Sequence, residues 1–424
     1  MKAVILVAGK GTRLHPLTLT RPKHLVPVGG KPIIDHILTA LKNAGINEVV
    51  FIVNYMAERL QHHLGDGTKY GMKFEYAVQK QLNGTADATS FAEPFMKKDF
   101  LLTYGDWLTT SDAINAVLKI HRKEKPAATM AVVSVENPEH YGIVELENSF
   151  VKAIVEKPHR DEAPTNLANA GIYVLSTEIF EAIKHTEQSP RGELEITDSL
   201  SLLLEEGHKI AAAKLSSSEM FDVGLLWDLF EANRWVLEKT KPKKEGQIED
   251  ASHLISPITI EEGARIRSGT YIEGPVFIGK DSDIGPNCFI RPYTSIGQKV
   301  RIGNACEIKN SIIMDKTHIG HLSYIGDSII GENCNFGAGT TIANYRLDGR
   351  SVKMKVKDKV LDTGRRKLGV VLGDDVKTGI NALFMPGVKV GNNCWIGPNV
   401  VVYRDVPPNT IIMFKQEQGQ RKKL

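Results

Sequence analysis

Two rhythms of apolar residues divide the chain. Through residues 1–235, short apolar runs alternate with amphipathic stretches. The runs KAVILVA (2–8), EVVFIVN (48–54), KFEYAVQ (73–79), DFLLTYGD (99–106), ATMAVVSV (128–135) and AGIYVLS (170–176) are rich in β-branched and aromatic residues, which predicts strands. PIIDHILTALKNAG (32–45) carries apolar residues at helical spacing and stops on Gly45, which predicts a helix. Strands alternating with helices predict an α/β sheet, largely parallel, with ligands bound beyond the carboxyl ends of its strands.

From residue 260 the rhythm changes. Ile260, Ile266, Ile272, Ile278, Ile284, Ile290, Ile296, Ile302 and Ile308 recur at every sixth position. The phase shortens by one to Ile313, Ile319 and Ile325, and again to Ile330, Phe336 and Ile342. A later run holds Leu372, Thr378, Phe384, Val390, Ile396 and Val402, and glycine often follows the anchor. Six is not a helical period, and helices tolerate so much glycine poorly. A short fixed repeat predicts a solenoid, here a parallel β-helix of hexapeptide repeats whose coils stack their apolar anchors.

Cys288, Cys306, Cys334 and Cys394 each lie four residues after an anchor. Ala264, Thr270, Thr294, Ser323 and Thr340 fill the same slot elsewhere, so the cysteines read as small packed residues rather than a zinc or redox site. Residues 236–255 are charged, carry Pro242 and Gly246, and read as a linker. It separates a domain at 1–235 from a solenoid at 256–410, with a basic tail at 411–424. Between Ile342 and Leu372 the repeat is interrupted by ANYRLDGRSVKMKVKDKVLDTGRRKLGVV, dense in Lys and Arg. Such an excursion is either a segment for an anionic ligand or a solvated loop.

The charge balance narrows the partners. A net charge of +3 over 424 residues, with 24% charged residues, argues for neither nucleic acid nor a membrane surface. There is no run of 18 apolar residues and no signal-peptide pattern, so a soluble cytoplasmic protein is expected.

The first candidate chemistry is KAVILVAGKGTRLHPLT (2–18), a strand breaking into a glycine loop. The dinucleotide fingerprint fails because Leu14 stands where it needs a third glycine, and the P-loop spacing does not occur. What remains is glycine backbone N–H groups beside Lys10 and Arg13. This is either an anion-binding nest or a tight strand-to-helix turn.

With these motifs in hand, the first half resembles sugar-1-phosphate nucleotidylyltransferases, and the second resembles left-handed β-helix acyltransferases. Nearly the whole chain is similar to the bifunctional glucosamine-1-phosphate N-acetyltransferase/N-acetylglucosamine-1-phosphate uridylyltransferase family, in its archaeal branch. The resemblance implies an α/β, Rossmann-like nucleotidyltransferase domain followed by a left-handed parallel β-helix. It implies Mg²⁺ as cofactor, UTP or dTTP and acetyl-CoA as co-substrates, sugar phosphates as acceptors, and a homotrimer.

The implied roles follow the family's motifs. LVAGKGTRL, with Val7 in place of the usual alanine, would bind base and phosphates through Leu6, Ala8, Gly9, Gly11 and Thr12, with Arg13 on the triphosphate. Lys23 in RPKHLVPV would contact phosphate. Gln79 and NGTADA, with Gly84 and Thr85, would read the base. Asp106 in YGD and Asp222 in FDVG would hold the metal, and Gly142, Glu156, Lys157 and Asn169 the sugar phosphate. In the solenoid, His321 would be the base. Arg291, Lys309, Tyr324, Asn335, Asn344 and Tyr345 would bind the acetyl-transfer substrates. Six residues after Asn344 the bacterial family usually has a lysine. Here Arg350 stands, with Lys353 nearby.

Physical chemistry agrees with these roles. A sugar phosphate attacking an α-phosphorus and expelling pyrophosphate is already anionic, so positioning and charge neutralisation suffice. An amine attacking a thioester needs only proton removal, a task for imidazole. Two other readings compete: a glucose-1-phosphate thymidylyl- or uridylyltransferase with the solenoid as oligomerisation scaffold, and a non-catalytic regulatory subunit. The intact Arg13, Lys23, Asp106 and Asp222 argue against the subunit. The intact Lys309, His321, Tyr324 and Asn344 argue against the scaffold.

Overall fold

In a computed structural model of the chain, residues 1–415 are described. The expected strands form at Ala3–Val7, Glu48–Val53, Lys73–Val78, Phe100–Tyr104, Ala128–Ser134 and Leu167–Leu175. Apart from the edge strand Lys73–Val78, whose Val78 is exposed, their apolar side chains are buried on both faces of one sheet, with Val4, Val50, Ile52, Phe100, Leu102, Met130, Val132 and Tyr173 on one face and Ile5, Phe51 and Leu101 on the other fully inaccessible. The helix Ile33–Asn43 buries Ile33, Ile34, Ile37, Leu38 and Leu41, as its spacing requires.

The sheet has nine strands, in the order Lys73–Val78, Glu48–Val53, Ala3–Val7, Phe100–Tyr104, Leu167–Leu175, Ala128–Ser134, Ile210–Leu215, Phe150–Glu156, Gly142–Glu147. It is mixed rather than largely parallel. Leu167–Leu175 runs antiparallel to both central neighbours, and Gly142–Glu147 with Phe150–Glu156 is an antiparallel hairpin. A strand buried on both faces reads as the same apolar run in either direction, so the pattern does not carry direction. Ala3–Val7 and Phe100–Tyr104 are parallel neighbours, and the Gly105 N–H donates to the Leu6 carbonyl at 3.0 Å. The Gly9 loop and Asp106 therefore leave the sheet at the same carboxyl edge.

The solenoid shows what the six-residue period means physically. Three strands make one turn, so Ile260 pairs with Ile278, and Ile278 with Ile296, in one parallel sheet. Ile266, Ile284 and Ile302 stack in a second sheet, and Ile272, Ile290 and Ile308 in a third. The phase slips are single shorter turns: Ile296 pairs with Ile313, and Ile313 with Ile330. The excursion leaves register intact, because Ile330 pairs directly with Leu372. Within it, Lys353–Val356 and Lys359–Asp362 form an antiparallel hairpin. The anchors fill one apolar core together with all four cysteines. The cysteines are free and buried. The Cys288 Sγ donates to the Gly303 carbonyl at 2.8 Å, and burial pushes its thiol up to about 11.

The expected boundaries shift. Residues 236–255 are not a linker. The helix Asp228–Lys239 covers their start, and Lys243–Lys244, Gln247–Ile248 and His253–Ile255 are the first strands of the three solenoid sheets. Charged residues on short solenoid strands point outward, which gives the segment the composition of a linker. At the other end, Ile411–Ile412 pairs with Trp395–Ile396, so the solenoid runs past residue 410. The rest of the expected tail, 416–424, lies outside the described residues. By contact density the chain forms two compact units. One holds Met1–Lys10, Pro22–Leu25 and Pro32–Val223, and the other holds Gly11–Arg21, Val26–Lys31 and the residues from Gly224 on.

Candidate active sites

The glycine loop opens at the end of Ala3–Val7. Gly9 faces open space, while Gly11 adopts a left-handed φ of 62° just before the short turn Thr12–Leu14. The Leu14 N–H and the Thr18 hydroxyl both donate to the Gly11 carbonyl, at 2.9 and 2.8 Å. This pins the turn and leaves Arg13 exposed. Gln79 is buried, and its amide donates to Asp87 at 2.7 Å and to the Gly84 carbonyl at 3.3 Å. Gly84 (φ 114°) abuts Leu194, where a Cβ would lie 2.4 Å from the carbonyl oxygen, so only glycine fits. The Thr85 hydroxyl accepts from the Ile196 N–H at 2.9 Å.

At the same edge, the buried Lys23 Nζ lies 2.5 Å from Asp106 Oδ2. Burial raises the Asp106 carboxyl. The Lys23 ammonium, by charge and hydrogen bond, overrides burial and holds it below the usual carboxylate range. The strand Met220–Asp222 pairs antiparallel with Trp107–Thr109, setting Asp222 opposite Trp107, and the Val223 N–H donates to the Asp106 carbonyl at 3.2 Å. The expected metal carboxylates thus come from adjoining segments, Asp222 from the strand Met220–Asp222 and Asp106 from the turn just before its partner strand. His24 was not foreseen. It is buried beside the pair, and burial, with the Lys23 charge, pushes its imidazole down to about 4 against the pull of Asp106.

The expected sugar-phosphate residues also meet. Gly142 and Glu156 are register partners, and a Cβ on Gly142 would lie 2.8 Å from Glu156 Oε2. Lys157 Nζ stands 3.5 Å from Glu156 Oε1. The Asn169 amide donates to the Tyr173 hydroxyl at 2.5 Å, and its carbonyl accepts the Gly171 N–H. Sequence reasoning missed Arg191, which bridges Glu156 at 2.9 Å and Glu195 at 2.7 Å. It lies in a loop with no motif to mark it.

In the solenoid, register does the assembling. Arg291, Lys309, Tyr324 and Asn344 come from successive coils of one sheet, because Ile290 pairs with Ile308 and Lys309 with Gly326. Their hub is Asp327, buried and unforeseen. It accepts from Asn344 at 2.5 Å, Asn310 at 2.7 Å and Lys309 at 3.2 Å. Asn344 also donates to the Tyr324 hydroxyl at 3.1 Å, and Arg291 pairs with Glu307 at 2.9 Å. Asp327 follows an anchor and its glycine in YIGD, as Asp106 follows YG, and that spacing was the available signal.

His321 stands exposed in the turn before Tyr324–Gly326, and its carbonyl accepts from Ser323 and Gly339. The remaining expected residues are placed elsewhere. Asn335 lies on a different sheet, opposite His318. Tyr345 is exposed and accepts from Arg366. Arg350 and Lys353 are exposed on the excursion. A cavity of about 280 Å³ at this sheet is lined by Arg291, Lys309 and Asp327, and the excursion reaches it through Arg365 instead.

Fold and sites together define a nucleotidyltransferase joined to a hexapeptide β-helix. Residues 2–239 match the nucleotidyl transferase family, 272–383 the GMPPB C-terminal domain, and 369–404 the bacterial transferase hexapeptide repeat. This chain is 42% identical over 424 residues, the full length of both proteins, to the bifunctional protein GlmU of Methanocaldococcus jannaschii. It is 40% identical to the bifunctional sugar-1-phosphate nucleotidylyltransferase/acetyltransferase of Sulfurisphaera tokodaii, over 96% of this chain and 98% of that one. A solved UDP-glucose pyrophosphorylase, complexed with UDP-glucose, is similar at 25% identity and a TM-score of 0.51, over 56% of this chain and 99% of its own. The chain belongs to the GlmU-type family of bifunctional sugar-1-phosphate nucleotidylyltransferase/acetyltransferases. The hexapeptide match accords with the left-handed sense of the helix. Among the described residues no helix is long and apolar enough to cross a membrane.

Proposed function

We propose that the enzyme makes a UDP-activated N-acetylhexosamine in two steps. Acetyl-CoA first acetylates the amine of glucosamine-1-phosphate, with galactosamine-1-phosphate as a further acceptor. The N-acetylated phosphate then attacks the α-phosphorus of UTP and expels pyrophosphate. The observation that carries this reading is the presence of two separate polar clusters in one chain: Lys23 on Asp106, with Asp222 on the neighbouring strand, and Lys309, Asn310 and Asn344 on Asp327.

In the nucleotidyl step the loop N–H groups and Arg13 hold the triphosphate, and Gln79, Gly84 and Thr85 frame the base. Gly142, Glu156, Lys157 and Asn169 orient the attacking sugar phosphate. No protein base is required, because the nucleophile is already an anion. Asp106, kept ionised by Lys23, and Asp222 present carboxylate oxygens suited to a hard divalent cation such as Mg²⁺. Such an ion supplies charge neutralisation on the phosphates. In the acetyl step His321 takes the amine proton as the nitrogen attacks the thioester, while Arg291 and Lys309 neutralise the acceptor's phosphate.

A homotrimer and a cytoplasmic location complete the proposal, and the three-sheet solenoid supports the trimer. A second reading, a glucose-1-phosphate nucleotidylyltransferase that uses dTTP, is supported by one likeness. A Bacillus anthracis structure assigned as a glucose-1-phosphate thymidylyltransferase is 32% identical, with a TM-score of 0.51, over 57% of this chain and 98% of its own. A product screen decides between the two. The purified protein is given acetyl-CoA, both hexosamine-1-phosphates, glucose-1-phosphate, UTP and dTTP. Formation of UDP-N-acetylhexosamine supports the proposal. A dTDP-sugar without acetylation would replace it with the second reading.

A further inference from the structure

We propose that Arg365 is a phosphate-binding residue of the acetyl-acceptor site, a role that rests on the acetyl-transfer reading above. The cavity beside Asp327 has Arg234, Arg291, Lys309 and Arg365 in its wall, against Glu231 and Asp327. Glu307 pairs with Arg291 from beside it. Arg234 pairs with Glu238 at 3.0 Å, so each of the four cations has one carboxylate partner. A phosphate monoester, at nearly two negative charges at neutral pH, would bind here by competing with these carboxylates for the guanidinium and ammonium groups. About 280 Å³ lies at the small end of ligand sites, the size of a sugar phosphate rather than of a coenzyme A.

Arg365 is built to serve this site. Its backbone is fixed from both sides, since its N–H donates to the Thr363 hydroxyl at 3.2 Å and its carbonyl accepts from Val352 at 2.8 Å. The preceding Gly364 turns at a φ of 68° and is held by Asp362 at 2.9 Å. The guanidinium lies over the Phe230 ring at 4.9 Å, and one Nη donates to Glu231 at 2.6 Å. Its Nε is buried and finds no hydrogen-bond partner among the described residues, and the same is true of the Arg291 Nε. An unpaired buried donor is costly. Both Nε atoms are closed to solvent, so a phosphate in the cavity would meet the part-exposed remainder of each side chain. The planar fork of arginine matches phosphate in a way a lysine does not. Arg365 thus takes the part that the family resemblance implied for Arg350 and Lys353, which lie exposed on the same excursion.

The test compares Arg365→Gln, Arg365→Lys and Glu231→Gln with the wild type. The expected result for Arg365→Gln is a KM for glucosamine-1-phosphate raised at least tenfold. Its kcat stays within threefold, its acetyl-CoA KM is unchanged, and turnover of phosphate-free glucosamine is unchanged. Arg365→Lys recovers part of the loss. Glu231→Gln, which frees the guanidinium, lowers the KM or leaves it unchanged. Calorimetry with glucose-1-phosphate gives a second readout: binding to the nucleotidyl half is common to all variants, and a second binding event in the wild type is weakened at least tenfold in Arg365→Gln. An equal loss on glucosamine and its phosphate, or a Glu231→Gln enzyme as impaired as Arg365→Gln, would show a merely structural residue and overturn the proposal. A rise confined to acetyl-CoA would move the bound phosphate to the coenzyme and also overturn it. If the wild type acetylates no hexosamine phosphate, the acetyl-transfer reading fails, and calorimetry still decides whether Arg365 binds phosphate.

Discussion

The Nζ of Lys23 lies 2.5 Å from Oδ2 of Asp106, and this ion pair keeps a half-buried carboxylate charged at the carboxyl edge of the sheet. Removing the lysine leaves the half-buried Asp106 without its counter-charge, so its carboxyl rises. Lys23→Ala is expected to lower pyrophosphate release by about 10²–10³. The remaining activity should shift to higher pH, where Asp106 again ionises. A pH–rate profile checks this. A variant within threefold of wild type across the range would show that the pair does not govern the reaction.

His24 makes stability depend on pH. Its imidazole is pushed down to about 4 in the folded protein, below its ordinary 6.5. Between these values the unfolded chain binds the extra proton, so stability is fully present above pH 6.5 and falls as the pH drops toward 4. The loss is on the order of 3 kcal/mol at most. Melting temperatures at pH 7.0, 5.5 and 4.5, as example settings of about that spacing, should fall in the wild type and fall less in His24→Asn.

Asp327 holds three side-chain donors in a buried position, so Asp327→Asn sets a new N–H against them. Breaking a buried charge pair of this kind costs about 3–5 kcal/mol. The expected result is a lower melting temperature together with a raised KM for the hexosamine phosphate. Uridylyl transfer should stay near normal. An unchanged KM in a folded variant would remove Asp327 from the acceptor site.

Assembly is a separate test. Sedimentation of the purified chain should give a trimer or a multiple of three. A fully acetylating monomer would contradict the proposed oligomer.

Much of this was legible because repeated burial leaves a periodic trace. The isoleucines at every sixth position dictated three stacked sheets, and the one-residue slips from Ile308 to Ile313 and from Ile325 to Ile330 became shorter turns. Lys23 and Lys309 were proposed on a different ground, the resemblance of their local motifs to a family, and the structure sets each beside a carboxylate, Asp106 and Asp327. What escaped depends on contacts between distant segments. Arg191 and Arg365 sit in loops whose side-chain targets the local sequence does not encode. Asp327 gains meaning only when Lys309 and Asn344 arrive from neighbouring coils. The linker reading failed because outward-facing Lys and Glu on the first solenoid strands look like solvated chain.

The most direct measurement assays both activities in Asp106→Asn and His321→Ala. Asp106→Asn should lose pyrophosphate release and keep acetyl transfer. His321→Ala should lose about 10²–10⁴ in acetyl-transfer kcat, with the acetyl-CoA KM little changed, and keep uridylyl transfer from supplied N-acetylglucosamine-1-phosphate. A folded variant that loses both activities together, or a His321→Ala enzyme that melts lower yet acetylates at the wild-type rate, would contradict the account of two independent chemistries on one chain.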